Sequence, residues 1–293
     1  MHRLATLNAR EMPLAILTIC AGVAFLVSND ALAKLLTDRY APIQIIFVRN
    51  LIAVPIIAAV VLGMFGARAL RTNHLRVHAF RGLLMVMGGW LYFVGLKHLP
   101  LADATSLVFS APIFITALSV PLLGEHVGWR RWGAVLLGFV GVLVIVRPGG
   151  ATFQIASLLP LGTAVFYALF MISARWIDRS ERLMTMMLFA MLFPLVFATP
   201  GALAVWSPVQ SGDIGLFLGT AVLGSLGLAL IGQAFRMAPA AIVAPFDYTA
   251  LVWAALFGWL IWGDLPGFWT ITGALIIVVS GVFIILRETR QGP

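Results

Sequence analysis

Residues 100–125, PLADATSLVFSAPIFITALSVPLLGE, and residues 239–264, PAAIVAPFDYTALVWAALFGWLIWGD, decide how this chain is read. Each stretch opens on a proline and reaches a glycine followed by an acid after the same 24-residue spacing. One residue out of register the likeness continues: Gly133-Ala134, Gly141-Val142 and Arg147 correspond to Gly273-Ala274, Gly281-Val282 and Arg287. Apolar helices share single glycines by chance. Five kinds of marker at fixed spacing indicate an internal repeat at an offset of about 140 residues.

Both stretches are too apolar for the surface of a soluble domain, and the whole chain is like them. Of 293 residues, 61% are hydrophobic and 10% charged, against roughly 25% charged in an ordinary globular domain. The mean hydropathy is +1.03. A bilayer core about 30 Å thick takes about 20 helical residues per crossing. Apolar runs punctuated by Gly, Pro and charge give ten spans at 12–36, 42–64, 78–97, 101–123, 131–147, 155–177, 183–206, 213–236, 239–262 and 268–286. Short connections leave no stretch for a soluble catalytic domain. The first run follows His2, Arg3 and Arg10 without a small-residue cleavage site, so it is expected to be a retained helix. The single cysteine, Cys20, excludes an intrachain disulfide.

The formal net charge of +8 could suggest nucleic acid, but the basic residues are sorted by loop instead. With the N-terminus inside, fourteen of the nineteen Lys and Arg fall in inner segments: Arg3 and Arg10; Arg68, Arg71, Arg76 and Arg81; Arg130 and Arg131; Arg175, Arg179 and Arg182; Arg236; Arg287 and Arg290. Outer segments hold Arg39, Lys97 and Arg147, and Lys34 and Arg49 lie within spans. Such a bias predicts both termini in the cytoplasm. Nucleic-acid binding is not expected.

The repeat offset equals five spans. Because five is odd, the second copy enters the membrane upside down. Arg130 and Arg131 follow Glu125, but no Lys or Arg follows Asp264 in the corresponding loop. The expected fold is therefore all-α, ten transmembrane helices in a 5+5 inverted-topology repeat, with halves at 1–150 and 151–293. The usual consequence is a substrate site at the repeat interface, opened to each side in turn.

Gly95-Leu96, Leu99-Pro100-Leu101-Ala102-Asp103-Ala104, Ala111-Pro112-Ile113-Phe114, Leu122-Leu123-Gly124-Glu125 and Gly133 with Gly141-Val142 resemble the EamA domain of the drug/metabolite transporter superfamily. The resemblance covers nearly the whole chain as two EamA-like halves. It implies export or exchange of small metabolites across the bacterial inner membrane. Within the superfamily the chain is most similar to the YddG-type exporters of aromatic and neutral amino acids, although riboflavin, purine and S-adenosylmethionine carriers share the same motifs. Two departures mark the second half: Asp264 replaces the family Glu, and Leu251 stands where Pro112 maps.

Polar side chains at membrane depth are costly, so each carries information. Asn29, Asp30 and Lys34 lie late in the first span, with Arg49 at a similar depth in the second. Asp30 and Lys34 are four apart and can pair on one face. That pair either holds helices together or recognises a charged substrate at an outer gate. In the third span Tyr92 is flanked by Gly88 and Gly95. In the fourth, Asp103, Ser106 and Ser110 form a polar stripe that faces a wet surface or bonds its own backbone. Asp247 and Tyr248 follow Pro245 in the ninth span; the acid could titrate, bind an amine, or pair with Arg236. Tyr167 and Gln233 complete the substrate-pathway candidates, and Asp103 and Glu125 join Lys34 and Arg49 as gate or ion-pair candidates. Ala134, Gly138 and Gly141 read as a helix contact.

No phosphate loop is present, and the five histidines lack metal spacing; His74 and His78 are expected to be solvated. No cofactor and no metal are expected. The leading expectation is a monomeric secondary transporter of a small molecule, by preference an amino acid, with the lipid bilayer as its other partner. The alternatives are a carrier of riboflavin, a purine or a drug and, in a different class, an intramembrane lipid-modifying enzyme. The second would need several acids and histidines at one depth.

Overall fold

The computed structural model describes residues 11–67, 71–124, 128–147, 154–177, 181, 183–238 and 243–290. Glu125 and the Pro239 marker lie outside the described residues. Among those described there is no strand. Ten apolar helical segments follow the predicted spans closely: seven are long and apolar enough to cross a membrane, and Trp132–Val146, Phe246–Trp262 and Phe268–Phe283 are shorter. In lipid, a helix satisfies its backbone polar groups within itself, which leaves it as the default spanning element.

The helices are α1 (Glu11–Leu36), α2 (Pro42–Phe65), α3 (Leu75–His98), α4 (Leu101–Val108), α5 (Ala111–Leu123), α6 (Trp129–Val146), α7 (Leu158–Ser173), α8 (Leu183–Ala204), α9 (Ile214–Met237), α10 (Thr249–Trp262) and α11 (Phe268–Arg290). The fourth span is thus two helices, α4 and α5, broken at Phe109–Ser110, just before Pro112, which lacks the N–H that a continuous helix would use. The ninth span breaks at the corresponding place: a 3-10 turn, Ala244–Tyr248, runs into α10. Both spans end on a glycine in the left-handed region, Gly124 at φ 67° and Gly263 at φ 72°. These are the Pro-to-Gly markers of the repeat, and the positive φ explains why glycine is needed.

Side-chain-free crossings tie the bundle together. α1 packs along α9 where Gly22 meets Gly227: a Cβ added at either would stand 3.0 or 2.9 Å from the other's carbonyl oxygen. α6 packs along α11 through Gly141 and Gly273, with added-Cβ distances of 2.8 and 2.6 Å to the facing oxygens. There the Ser280 hydroxyl donates to the Ala134 carbonyl at 2.5 Å. α2 packs on α8, and α3 on α7 and α8. The outward faces of α6 and α11 carry exposed Leu136, Val140, Leu275 and Val279, as a lipid-facing surface requires.

Candidate functional site

α1, α2, α3, α4, α5, α7 and the Ala244–Tyr248 turn enclose a cavity of about 540 Å³, to which α8, α9 and α10 contribute single walls or edges. That size is ordinary for a small-molecule site, typically ~300–1,000 Å³. Its walls are mainly apolar and aromatic, among them Phe93, Phe109, Phe166 and Phe170. Among the described residues, three charged ones line it: Asp30, Arg49 and Asp247.

Asp30 stands near the α1–α2 turn. It accepts hydrogen bonds from Asn29 Nδ2 at 2.9 Å and from the Tyr92 hydroxyl at 3.2 Å. Tyr92 also lies 3.3 Å from Thr105 Oγ1. Arg49, set over the Phe93 ring at 5.9 Å, brings an opposite charge within electrostatic reach of Asp30. Asn29 itself is buried, with its Oδ1 unpartnered against Gly224 of α9. The expected Asp30–Lys34 pair does not form. Lys34 instead donates to the carbonyls of Leu96, at 2.9 Å, and Leu99, and lies 5.2 Å from the Trp262 ring. The end of α3 leaves carbonyls without helical partners, and the Lys34 ammonium donates to them, while Asp30 is supplied by Asn29 and Tyr92.

Asp247 lies in the Ala244–Tyr248 turn that opens the ninth span and lines the same cavity. No hydrogen bond or ion pair reaches it among the described residues, and Arg236, its expected alternative partner, is exposed on α9. Tyr167 and Tyr248 line the cavity within electrostatic reach of it. The Tyr248 ring lies 5.1 Å from that of Phe109, and its hydroxyl fills the notch left by Gly281, where it is buried and unpartnered.

Other expected site residues point elsewhere. Ser106 and Ser110 are buried away from the cavity, and their hydroxyls donate to the carbonyls of Ala102 at 2.7 Å and Leu107 at 2.6 Å. For these two serines the hydroxyls bond their own backbone. Asp103, on the same face, accepts from Thr270 of α11 at 2.8 Å. Gln233 is exposed and outside the cavity. The fourth span instead contributes Thr105, Val108, Phe109, Ala111, Pro112, Ile115 and Thr116 to the wall. Of these only Thr105 and Thr116 are polar, so polarity does not mark this face in the sequence.

Two polar clamps lie at opposite faces of the bundle. Near the α1–α2 turn, Arg39 pairs with Asp213 at 3.1 Å, and the Tyr40 hydroxyl donates to the same carboxylate at 2.8 Å. At the start of α3, His78 meets Glu181 at 2.9 Å and stacks on Phe189, with ring centroids 4.9 Å apart. His78 is 1% exposed, not solvated as its basic neighbours suggested. Glu181 lies over a hundred residues away, and local charge patterning cannot reveal such a partner.

A family profile described as the EamA-like transporter family matches residues 13–147 and again 154–287. An S-adenosylmethionine uptake transporter of Rickettsia bellii is 29% identical over 90% of this chain and 90% of its own. A riboflavin transporter of Vibrio cholerae is 32% identical over 94% of each. A pseudopaline exporter of Pseudomonas aeruginosa is 28% identical over 94% of this chain and 96% of its own. A solved crystal structure, 21% identical, covers 96% of this chain and 99% of its own with a TM-score of 0.61, and shares the fold. These relatives carry the broader resemblance, not a specific likeness to aromatic amino-acid exporters. With its apolar helices, they place the chain as a multi-pass protein of the bacterial inner membrane.

Proposed function

From the premise that this chain belongs to the EamA-like transporter family, we propose that it is a secondary carrier of small amphipathic metabolites. Such substrates join a flat or apolar body to charged groups. The observation that carries this reading is the cavity itself: about 540 Å³ of mainly apolar and aromatic wall that includes Asp30, Arg49 and Asp247. An apolar body would fill the space, and the few charged side chains would fix its orientation. S-adenosylmethionine, named for one relative, has this form. Amino acids with apolar side chains belong to the same chemical class, because the acidic and basic side chains of the lining offer partners to both of their charges. No enzymatic step is required of these residues, and no nucleotide-binding loop points to ATP drive.

The mechanism we infer is alternating access between two inverted halves, 1–150 and 151–293. The two profile matches support that division. So do the helix contacts. Exchanging spans 1 with 6, 2 with 7, 3 with 8, 4 with 9 and 5 with 10 turns α1·α9 into α3·α7, α3·α8 into α2·α9, and α5·α7 into α1·α10. The same exchange carries the Arg39–Asp213 clamp onto the neighbourhood of His78–Glu181. Both clamps join a turn of one half to a helix start of the other, as expected of contacts that open on one face while closing on the other.

Two measurements test this reading. In a Cys20→Ala background, Arg71→Cys should react with an impermeant maleimide only from the cytoplasm and Gly212→Cys only from outside. Labelling of both from one side would remove the inverted repeat. Purified protein in liposomes should catalyse saturable counterflow of radiolabelled S-adenosylmethionine, riboflavin or phenylalanine without ATP. Absence of saturable flux for all three would overturn the carrier reading for this substrate class.

A further inference from the structure

Among the described residues the cavity is lined by two carboxylates and one guanidinium, and the three are not equivalent. Asp30 is provided for: it accepts from Asn29 and Tyr92 and has Arg49 within electrostatic reach. Asp247 has no hydrogen-bond donor and no cation among the described residues. An isolated carboxylate against an apolar wall is expensive unless a cation or a proton joins it. Around it the protein has placed aromatic rings, those of Tyr167 and Tyr248 with Phe109 against Tyr248. The Tyr248 ring is held there because its hydroxyl end occupies the Gly281 notch, so it cannot swing a donor toward Asp247 without leaving α11. A carboxylate that shares a cavity wall with aromatic side chains is the chemistry that receives an organic cation: the acid supplies the charge, and ring faces attract a cation's diffuse positive surface.

We propose that Asp247, with Tyr167 and Tyr248, is the subsite for a positively charged group of the substrate, an ammonium or sulfonium, and so selects organic cations over their neutral counterparts. This deepens the carrier reading and rests on it. Asp30 orients the remainder of the molecule and carries no comparable preference, because it already accepts from Asn29 and Tyr92 and lies within electrostatic reach of Arg49.

The test is ligand binding to purified protein in detergent, read by thermal shift and by scintillation proximity, with two matched pairs. S-adenosylmethionine and S-adenosylhomocysteine differ by one methyl group and one positive charge; tyramine and 4-hydroxyphenylethanol differ by an ammonium in place of a hydroxyl. The cationic member of at least one pair should bind roughly tenfold or more tighter than its neutral partner. Asp247→Asn should bring the two to within about twofold while the neutral member still binds, which shows that the variant is folded. Asp30→Asn should retain the discrimination. Equal binding of both members by the wild-type protein, binding of neither member of either pair, or discrimination that survives in Asp247→Asn would each overturn the subsite. Saturable riboflavin counterflow in those cases would leave the carrier reading standing, so the two ideas fail separately.

Discussion

Replacing Gly273 with leucine should abolish recovery of folded protein from membranes. At this point the backbones of α6 and α11 touch: a Cβ on Gly273 would stand 2.6 Å from the Gly141 oxygen and 2.5 Å from Ile145 Cγ1. Overpacking against side chains that can turn aside costs about 1–3 kcal/mol. Here the obstacle is a helix backbone, which relieves the clash only by moving the whole of α11. Small residues drive such crossings in lipid because close approach supplies the packing that water would otherwise enforce. The control is Gly133→Leu on α6, where nothing lies within 4 Å of an added Cβ. Size-exclusion profiles of fluorescent fusions extracted in detergent should show a monodisperse peak for Gly133→Leu and none for Gly273→Leu. A normal peak for Gly273→Leu would mean that the crossing does not hold these helices together.

Adjacent glycines of α3 should respond in opposite ways to tryptophan. Gly88 and Gly89 both line the cavity. A Cβ on Gly89 meets only Ile46, at 3.5 Å, an ordinary contact, so the backbone accepts a side chain there. The indole would then occupy the cavity that a substrate must enter. Gly89→Trp is expected to fold, to insert, and to lose counterflow by two orders of magnitude or more (about 3 kcal/mol or more in the barrier to transport). A Cβ on Gly88 stands 3.2 Å from Phe166 Cβ at the α3–α7 crossing. Gly88→Trp should therefore lower the yield of folded protein before transport can be measured. Wild-type flux through a well-folded Gly89→Trp would show that substrate does not pass through this cavity.

Ser110, in contrast, is a poor place to block the pathway. Its side chain is 0% exposed and bonded to Leu107, so a bulky replacement would disturb packing and leave the cavity itself untouched. The polar stripe of Asp103, Ser106 and Ser110 was legible as a pattern but not in its direction. A hydroxyl in a membrane helix is equally satisfied by water in a cavity or by its own backbone. Lys34 is the same lesson in another form: Asp30 is the candidate partner that helical spacing offers, and the free carbonyls at the end of α3, over sixty residues away, are the ones it takes.

The sequence by itself determined the number and order of the ten apolar segments, the left-handed glycines that end the fourth and ninth, and the glycines available for close crossings. Each is a local consequence of chain chemistry in lipid: about 20 apolar residues span the core, helices satisfy their own backbone, and a positive φ asks for glycine. Tertiary structure alone decided which face of each helix meets the cavity, which charge meets which, and that Asp30 has hydrogen-bond partners while Asp247 has none among the described residues. Those outcomes depend on contacts between residues far apart in the chain, such as Asp30 with Tyr92, His78 with Glu181 and Tyr248 with Gly281. In an apolar helix surrounded by apolar neighbours, periodicity gives no face away, because lipid, protein and cavity all accept the same side chains.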